Sequence, residues 1–212
     1  MPEYQTMTEM AATELRKAIM RGDLPPGTRL IPTKLEGELN LSRVAIREAI
    51  RELAGSGLVE TVTNIGAHVA SPPSLEELKE IFEVRLLLEP KLTVIASKRI
   101  TDQDLERLQN MCRDMESLSP PGKDFFFLNR KFHQNIYRLS GWSFLCGMVS
   151  QFMDQILISR SLKQTSGLDL KATNLEHRQI LEKIRDGNPK EIKSIVRAHI
   201  QRGLDDLVRL TS

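Results

Sequence analysis

The sequence predicts a mostly α-helical protein in two parts: short helices closed by a small β-hairpin, then an all-α antiparallel helical bundle. Three observations predict this. Apolar residues recur at helical spacing along most of the chain. One β-branched stretch, near residues 58–70, breaks that rhythm around Asn64-Ile65-Gly66. Pro72-Pro73 follows at once as a stiff connector between the two parts.

The elements follow in order. A first helix is expected from about Thr8 to Arg21, with Met10, Leu15, Ala18 and Ile19 on one face. The run Gly22-Asp23-Leu24-Pro25-Pro26-Gly27 stops it, because neither proline can continue a helix. A short helix is expected from about Thr33 to Leu39, with Asn40 in the left-handed conformation that ends it. Ser42 suits the N-cap of a third helix that reaches Ala54 and halts at Gly55-Ser56-Gly57. Residues 58–63 and 67–70 then pair as a hairpin. Helices followed by a hairpin in this order make a winged helix-turn-helix with a β-hairpin wing.

Ser74, with Glu77 three residues on, opens a long helix through a capping box. Beyond it only helices are expected, about six. Breaks fall at Ile100-Thr101, Ser119-Pro120-Pro121-Gly122, Ser140-Gly141, Thr165-Ser166-Gly167 and Gly187-Asn188-Pro189. That number suits an antiparallel bundle. The boundaries read from the sequence are residues 1–70 for the first part, 71–76 for a linker and 77–212 for the second.

The chain has 212 residues, 40% hydrophobic and 27% charged, which is ordinary for a globular protein and allows two cores. No apolar run reaches the roughly 18–20 residues of a membrane span, and the first 20 residues lack a signal-peptide core. A cytoplasmic location is therefore expected. Cys112 and Cys146 form no CxxC pair and are read as reduced thiols. The net charge of +2 says little about partners. Residues 1–70 hold eight Lys/Arg against nine Asp/Glu, so any nucleic-acid surface there must gather its cations on one face.

The third helix does gather them. Arg43, Arg47 and Arg51 are spaced i, i+4, i+8 and form one stripe, while Ile46, Ile50 and Leu53 form a separate apolar face. A helix of this kind fits the major groove, where the guanidinium fork matches guanine O6/N7 or a phosphate. Its first turn also offers free N–H groups to phosphate. The hairpin then serves as a wing, with Gly66 letting the backbone approach DNA closely. The plainer alternative is a solvated arginine face with Glu48 pairing to Arg51.

Three of the four histidines lie in the second part. Asn129 and His133 are i, i+4 on one helix; His177 and His199 sit on two later helices among Leu175, Ile180, Leu181 and Ile195, Val196, Ile200. Inward-facing imidazoles from three helices can converge on one divalent metal, zinc being favoured and nickel, iron or manganese needing added oxygen ligands. The alternative is three separate hydrogen-bonded core histidines. Arg85 shares a stripe with Leu78, Ile81, Phe82, Leu88 and Leu92, where a charge needs a partner. That partner is either a bound acid or Glu89 at i+4.

The runs LRKAIMRGDLPPGTRL, LNLSRVAIREAIRELAGSGLVE and NIGAHV resemble the N-terminal domain of the GntR family throughout residues 11–70. The resemblance implies DNA contacts by Arg43, Arg47 and Gly66. Some members carry a further DNA-contacting arginine at the start of the second helix; here Thr33 stands there, with Lys34 beside it. Arg51 is assigned from spacing alone, as a phosphate contact. The runs NRKFHQNIYRLSGW, EHRQILEKIRDGN and VRAHI resemble the effector domain of the FadR-type branch over most of residues 75–205.

The metal-containing version of that domain implies ligands at Asn129, His133, His177 and His199, with asparagine standing where aspartate is usual. The resemblance further implies a homodimer on a near-palindromic operator and a small carboxylate effector; Arg85, from its place on the apolar stripe, is the candidate cation to meet that acid beside the metal. The 1–70 part is then the DNA-binding domain and the 77–212 part the effector-binding and dimerisation domain. Repression relieved by the effector is the expected sign. A zinc hydrolase is the rival reading, but no general base like the glutamate of HExxH adjoins the histidines.

Overall fold

In the computed structural model, α1 (Met7–Arg21) begins at Thr6. The Thr6 hydroxyl accepts from the Glu9 N–H and the Glu9 carboxylate accepts from the Thr6 N–H, so two orphan donors of the first turn are satisfied reciprocally. The helix thus opens slightly earlier than its apolar period suggests. Its buried face is Ala11, Ala12, Leu15, Ile19 and Met20. Met10 and Ala18, expected on that face, are only half-buried. The structure describes residues 6–118, 123–161 and 168–211, so the turns expected at 119–122 and 165–167 lie outside the described residues.

α2 (Pro32–Leu39) starts on a proline, whose missing N–H costs nothing at a helix start, and ends at Asn40 with φ of 53°. α3 (Arg43–Gly55) is capped by Ser42, whose hydroxyl accepts from the Ala45 N–H at 3.2 Å. β1 (Val59–Val62) and β2 (Gly66–Val69) pair antiparallel, with Val59 opposite Val69 and Val62 opposite Gly66. Residues 28–30 run along the free edge of β2: the Leu30 N–H donates to the Ala67 carbonyl and the Val69 N–H to that of Thr28. Arg29 consequently stands opposite His68.

The chain divides into two compact units, residues 6–73 with 154–161, and the remaining described residues from 74 onward. The first unit is the winged helix-turn-helix. Leu15, Ile19, Ile46, Leu53 and Leu58 form its fully buried centre, and Ile158 from the far segment joins the same core. Asp154 of that segment is buried and lies 3.3 Å from the Arg16 guanidinium.

The second unit is all-α. It holds α4 (Leu75–Ser97), α5 (Asp102–Ser117), α6 (Lys123–Arg138), the first part of α7 (Ser143–Ser161), α8 (Leu170–Asp186) and α9 (Pro189–Thr211). The Ser74–Glu77 capping box opens α4 as expected. α4 packs on α9, α6 and α8; α5 packs on α6 and α8; α8 packs on α9. Leu78, Phe82, Leu92, Phe132 and Tyr137 lie in its interior, whereas Leu88 is half-buried. No helix of the described residues is long and apolar enough to cross a membrane.

Candidate DNA-reading helix and histidine centre

α3 separates its two faces as the spacing requires. Ile46, Ile50 and Leu53 are buried, and Arg43, Arg47 and Arg51 are exposed. The three arginines differ in their partners. Arg51 donates from Nη1 to Glu48 one turn back at 2.6 Å, the pairing that the plainer reading of this stripe also contained. Arg43 donates from Nε and Nη2 to one carboxylate oxygen of Glu36, on α2, at 3.1 and 2.9 Å. Arg47 has no acidic partner among the described residues. On α2, Thr33 is exposed and Lys34 Nζ lies 3.7 Å from Glu38.

Gly66 has φ of +106°, a conformation that an L side chain rarely adopts. The Arg29 side chain lies alongside: a Cβ at Gly66 would make only ordinary contact with its Nε, at 3.7 Å, so it is the backbone conformation that calls for glycine. Arg29 is exposed and its guanidinium, like that of Arg47, has no acidic partner among the described residues. The sequence reading missed Arg29, because the chain bends between it and the wing. It also missed Val44, which is 73% exposed in the first turn of α3.

The histidine centre is built from three helices. α6 carries Asn129 and His133, α8 carries His177 and α9 carries His199. The three imidazoles are buried, with one nitrogen of each inside a span of 4.8 Å. Ile180, Leu181, Val196 and Ile200 are buried beside them and Ile195 is half-buried, but Leu175 is 57% exposed and is not part of this wall.

The surrounding hydrogen bonds fix how each ring is turned. His199 Nδ1 lies 2.7 Å from a Glu176 oxygen, and a carboxylate only accepts, so Nδ1 carries the hydrogen. The Tyr137 hydroxyl donates to Glu89, which leaves its oxygen to accept from His133 Nδ1 at 3.4 Å. The Asn174 amide donates to the Cys112 carbonyl, so its oxygen accepts from His177 Nδ1 at 3.3 Å. Each ring therefore turns its other nitrogen, Nε2, towards the centre. His133 Nε2 and His199 Nε2 stand 3.0 Å apart, and His177 Nε2 has no hydrogen-bond partner. The buried Asn129 Oδ1 has none either. With the Nδ1 hydrogens engaged elsewhere, two Nε2 atoms as close as those of His133 and His199 need a cation between them, either a shared proton or a metal ion.

Electrostatics keep two of these rings neutral. Burial, then the neighbouring His199 and His177 rings, hold His133 well below the ordinary histidine value. Burial and His199 do the same to His177. Burial pushes Glu176 up, but hydrogen bonds from His199 and Arg202 carry it below the usual carboxylate range. Neutral imidazoles and one amide oxygen are the donor set that a borderline divalent ion takes.

Arg85 is buried, and its guanidinium forks onto Glu89 through Nε and Nη2. Its partner is thus the i+4 glutamate. Burial alone would depress this guanidinium; the Glu89 charge holds it above its ordinary value. Glu89 also receives the Tyr137 hydroxyl, so Arg85, Glu89, Tyr137 and His133 form one buried chain of contacts.

Residues 7–69 match the family described as bacterial regulatory proteins, gntR family, and residues 80–202 match the FCD domain. The protein is a GntR-family regulator with an FCD domain. The regulator is 27% identical over 197 residues to the HTH-type transcriptional regulator YdhC of Bacillus subtilis, covering 92% of this chain and 88% of that one. It is 29% identical over 187 residues to the gluconate operon transcriptional repressor of Bacillus licheniformis, covering 87% and 73%. Among solved structures, E. coli McbR/YncC superposes with a TM-score of 0.82 at 21% identity, over 98% of this chain and 100% of that one, which shows a shared fold. The regulator is a DNA-binding transcription factor and not an enzyme.

Proposed function

We propose that the regulator is a homodimeric repressor of a near-palindromic operator, released by a small carboxylate that ligates a divalent metal in the FCD bundle. Zinc is the favoured ion, with nickel, manganese or iron as alternatives. His133, His177 and His199 hold it through Nε2, and Asn129 adds its amide oxygen. The observation that carries this reading is the convergence of three Nε2 atoms whose Nδ1 hydrogens are all engaged elsewhere. The asparagine makes the donor set neutral. The ion therefore keeps its full positive charge for an incoming acid, which fills the coordination positions left open.

In the DNA-binding domain, Arg43 and Arg47 read bases, Arg51 and Lys34 meet phosphate, and Thr33 and the Gly66 backbone approach the strands. The exposure of all six supports this assignment. Arg85 lies one buried contact chain from His133, which supports a role in holding the effector's carboxylate once that acid competes with Glu89. One relative's name, a gluconate operon repressor, supports repression and a sugar-acid class of effector. Hydrolysis finds little support: Glu176 and Glu89, the carboxylates beside the rings, are both engaged by cationic partners.

The test is the operator complex itself. A duplex selected from a random library by the full-length protein is followed by fluorescence anisotropy while sugar acids, hydroxy acids and dicarboxylates are added. The proposal expects one class to release the DNA from zinc-loaded protein and not from metal-stripped protein. Release that ignores the metal, and that His199→Ala leaves untouched, would leave a metal-free acid pocket instead.

A further inference from the structure

We propose that Glu36 is a specificity-determining residue: it holds Arg43 in the orientation that reads a base and penalises contacts that ignore sequence. The proposal rests on the assignment of Arg43 as a DNA-reading residue. Glu36 lies on α2 and Arg43 is the first residue of α3, so their ion pair bridges the turn of the helix-turn-helix. One Glu36 oxygen accepts from Nε at 3.1 Å and from Nη2 at 2.9 Å, which occupies a single edge of the guanidinium. The adjacent edge, formed by Nη1 and the second hydrogen of Nη2, stays open. That edge presents the parallel pair of hydrogens that matches O6 and N7 of guanine.

The pair does little for folding. Its side chains are 52% and 40% exposed, and exposed ion pairs contribute little stability. Its effect on an arginine in a groove is larger. A free arginine swings to any phosphate, and phosphate contacts carry no sequence information. An arginine tied to a carboxylate gives up that freedom before binding and loses less on reading its base. The carboxylate also repels phosphate, so a misplaced complex suffers more than a correct one. The two neighbouring arginines lack this arrangement. Arg47 has no acidic partner among the described residues, and Arg51 pairs along its own helix with Glu48.

The test compares full-length wild type with Glu36→Gln, Glu36→Asp and Arg43→Ala on two duplexes at one salt concentration: the sequence that wild type selects from a random library, and a scrambled version. Glu36→Gln is expected to bind the scrambled duplex a few-fold more tightly and to cut the selectivity ratio about tenfold. Its lost selectivity should map to the base pair at which Arg43→Ala loses preference. Glu36→Asp, which keeps the charge, should regain part of the ratio, and unchanged melting temperatures should confirm that every variant folds. A ratio unchanged in Glu36→Gln, or equal loss on both duplexes, overturns the proposal while leaving the Arg43 assignment standing. A ratio unchanged in Arg43→Ala overturns both.

Discussion

Arg47 offers the cleanest reading of a single side chain, because removing it breaks no ion pair of the described fold. Arg47→Ala should therefore melt like wild type yet lose about 10- to 100-fold in operator selectivity, measured as the ratio of operator to scrambled-duplex affinity. Cys112 makes a second case. Burial pushes its thiol up to about 11, so at pH 8 only about one molecule in a thousand carries the reactive thiolate. A thiol-specific reagent should modify Cys112 only as fast as the protein unfolds. The histidines were legible in the sequence because they are few and each sits on a strongly periodic helix. Glu36 and Glu176 were not. Their partners stand 7 and 23 residues away on other helices, and no local spacing relates them.

Elements show a similar division. The α3 faces, the Ser74 capping box and the hairpin follow from periodicity and turn residues, since those are local properties of the chain. The role of α7 does not. Its pattern marks Ile158 as apolar but cannot say which core it joins, and it completes the core of the winged helix-turn-helix. Gly57 of that unit reflects the same packing: with φ of +76°, a Cβ there would meet the Gln155 side chain at 2.9 Å. Ile158→Ala should destabilise this unit by about 2–5 kcal/mol, seen as a lower denaturation midpoint. On α8, Glu176→Gln should leave the helices folded but weaken metal binding about 10- to 100-fold, because the His199 ring loses the carboxylate that orients it. A competition titration with a chromophoric chelator measures that loss.

For the whole molecule, the buried histidines link stability to pH. The folded pKa values of His133 and His177 are depressed, whereas the unfolded chain titrates near the ordinary value of about 6.5. Below that pH the unfolded chain binds protons that the folded chain refuses. The stability these neutral rings contribute is thus complete above about pH 6.5 and is lost as pH falls towards their depressed values. Metal-stripped protein should accordingly melt progressively lower on acidification through this window. A saturating metal should raise the melting temperature at neutral pH by mass action, and this gain should shrink in acid as protons compete for the same nitrogens.

Metal content decides the central claim most directly. Protein purified without chelators, or reloaded with zinc and desalted, should carry one divalent ion per chain by elemental analysis. His177→Ala, at equal helicity by circular dichroism, should carry far less. Wild type that emerges from reloading with no bound ion, or a variant that retains as much as wild type, would contradict an account in which these three rings are turned inward to hold one.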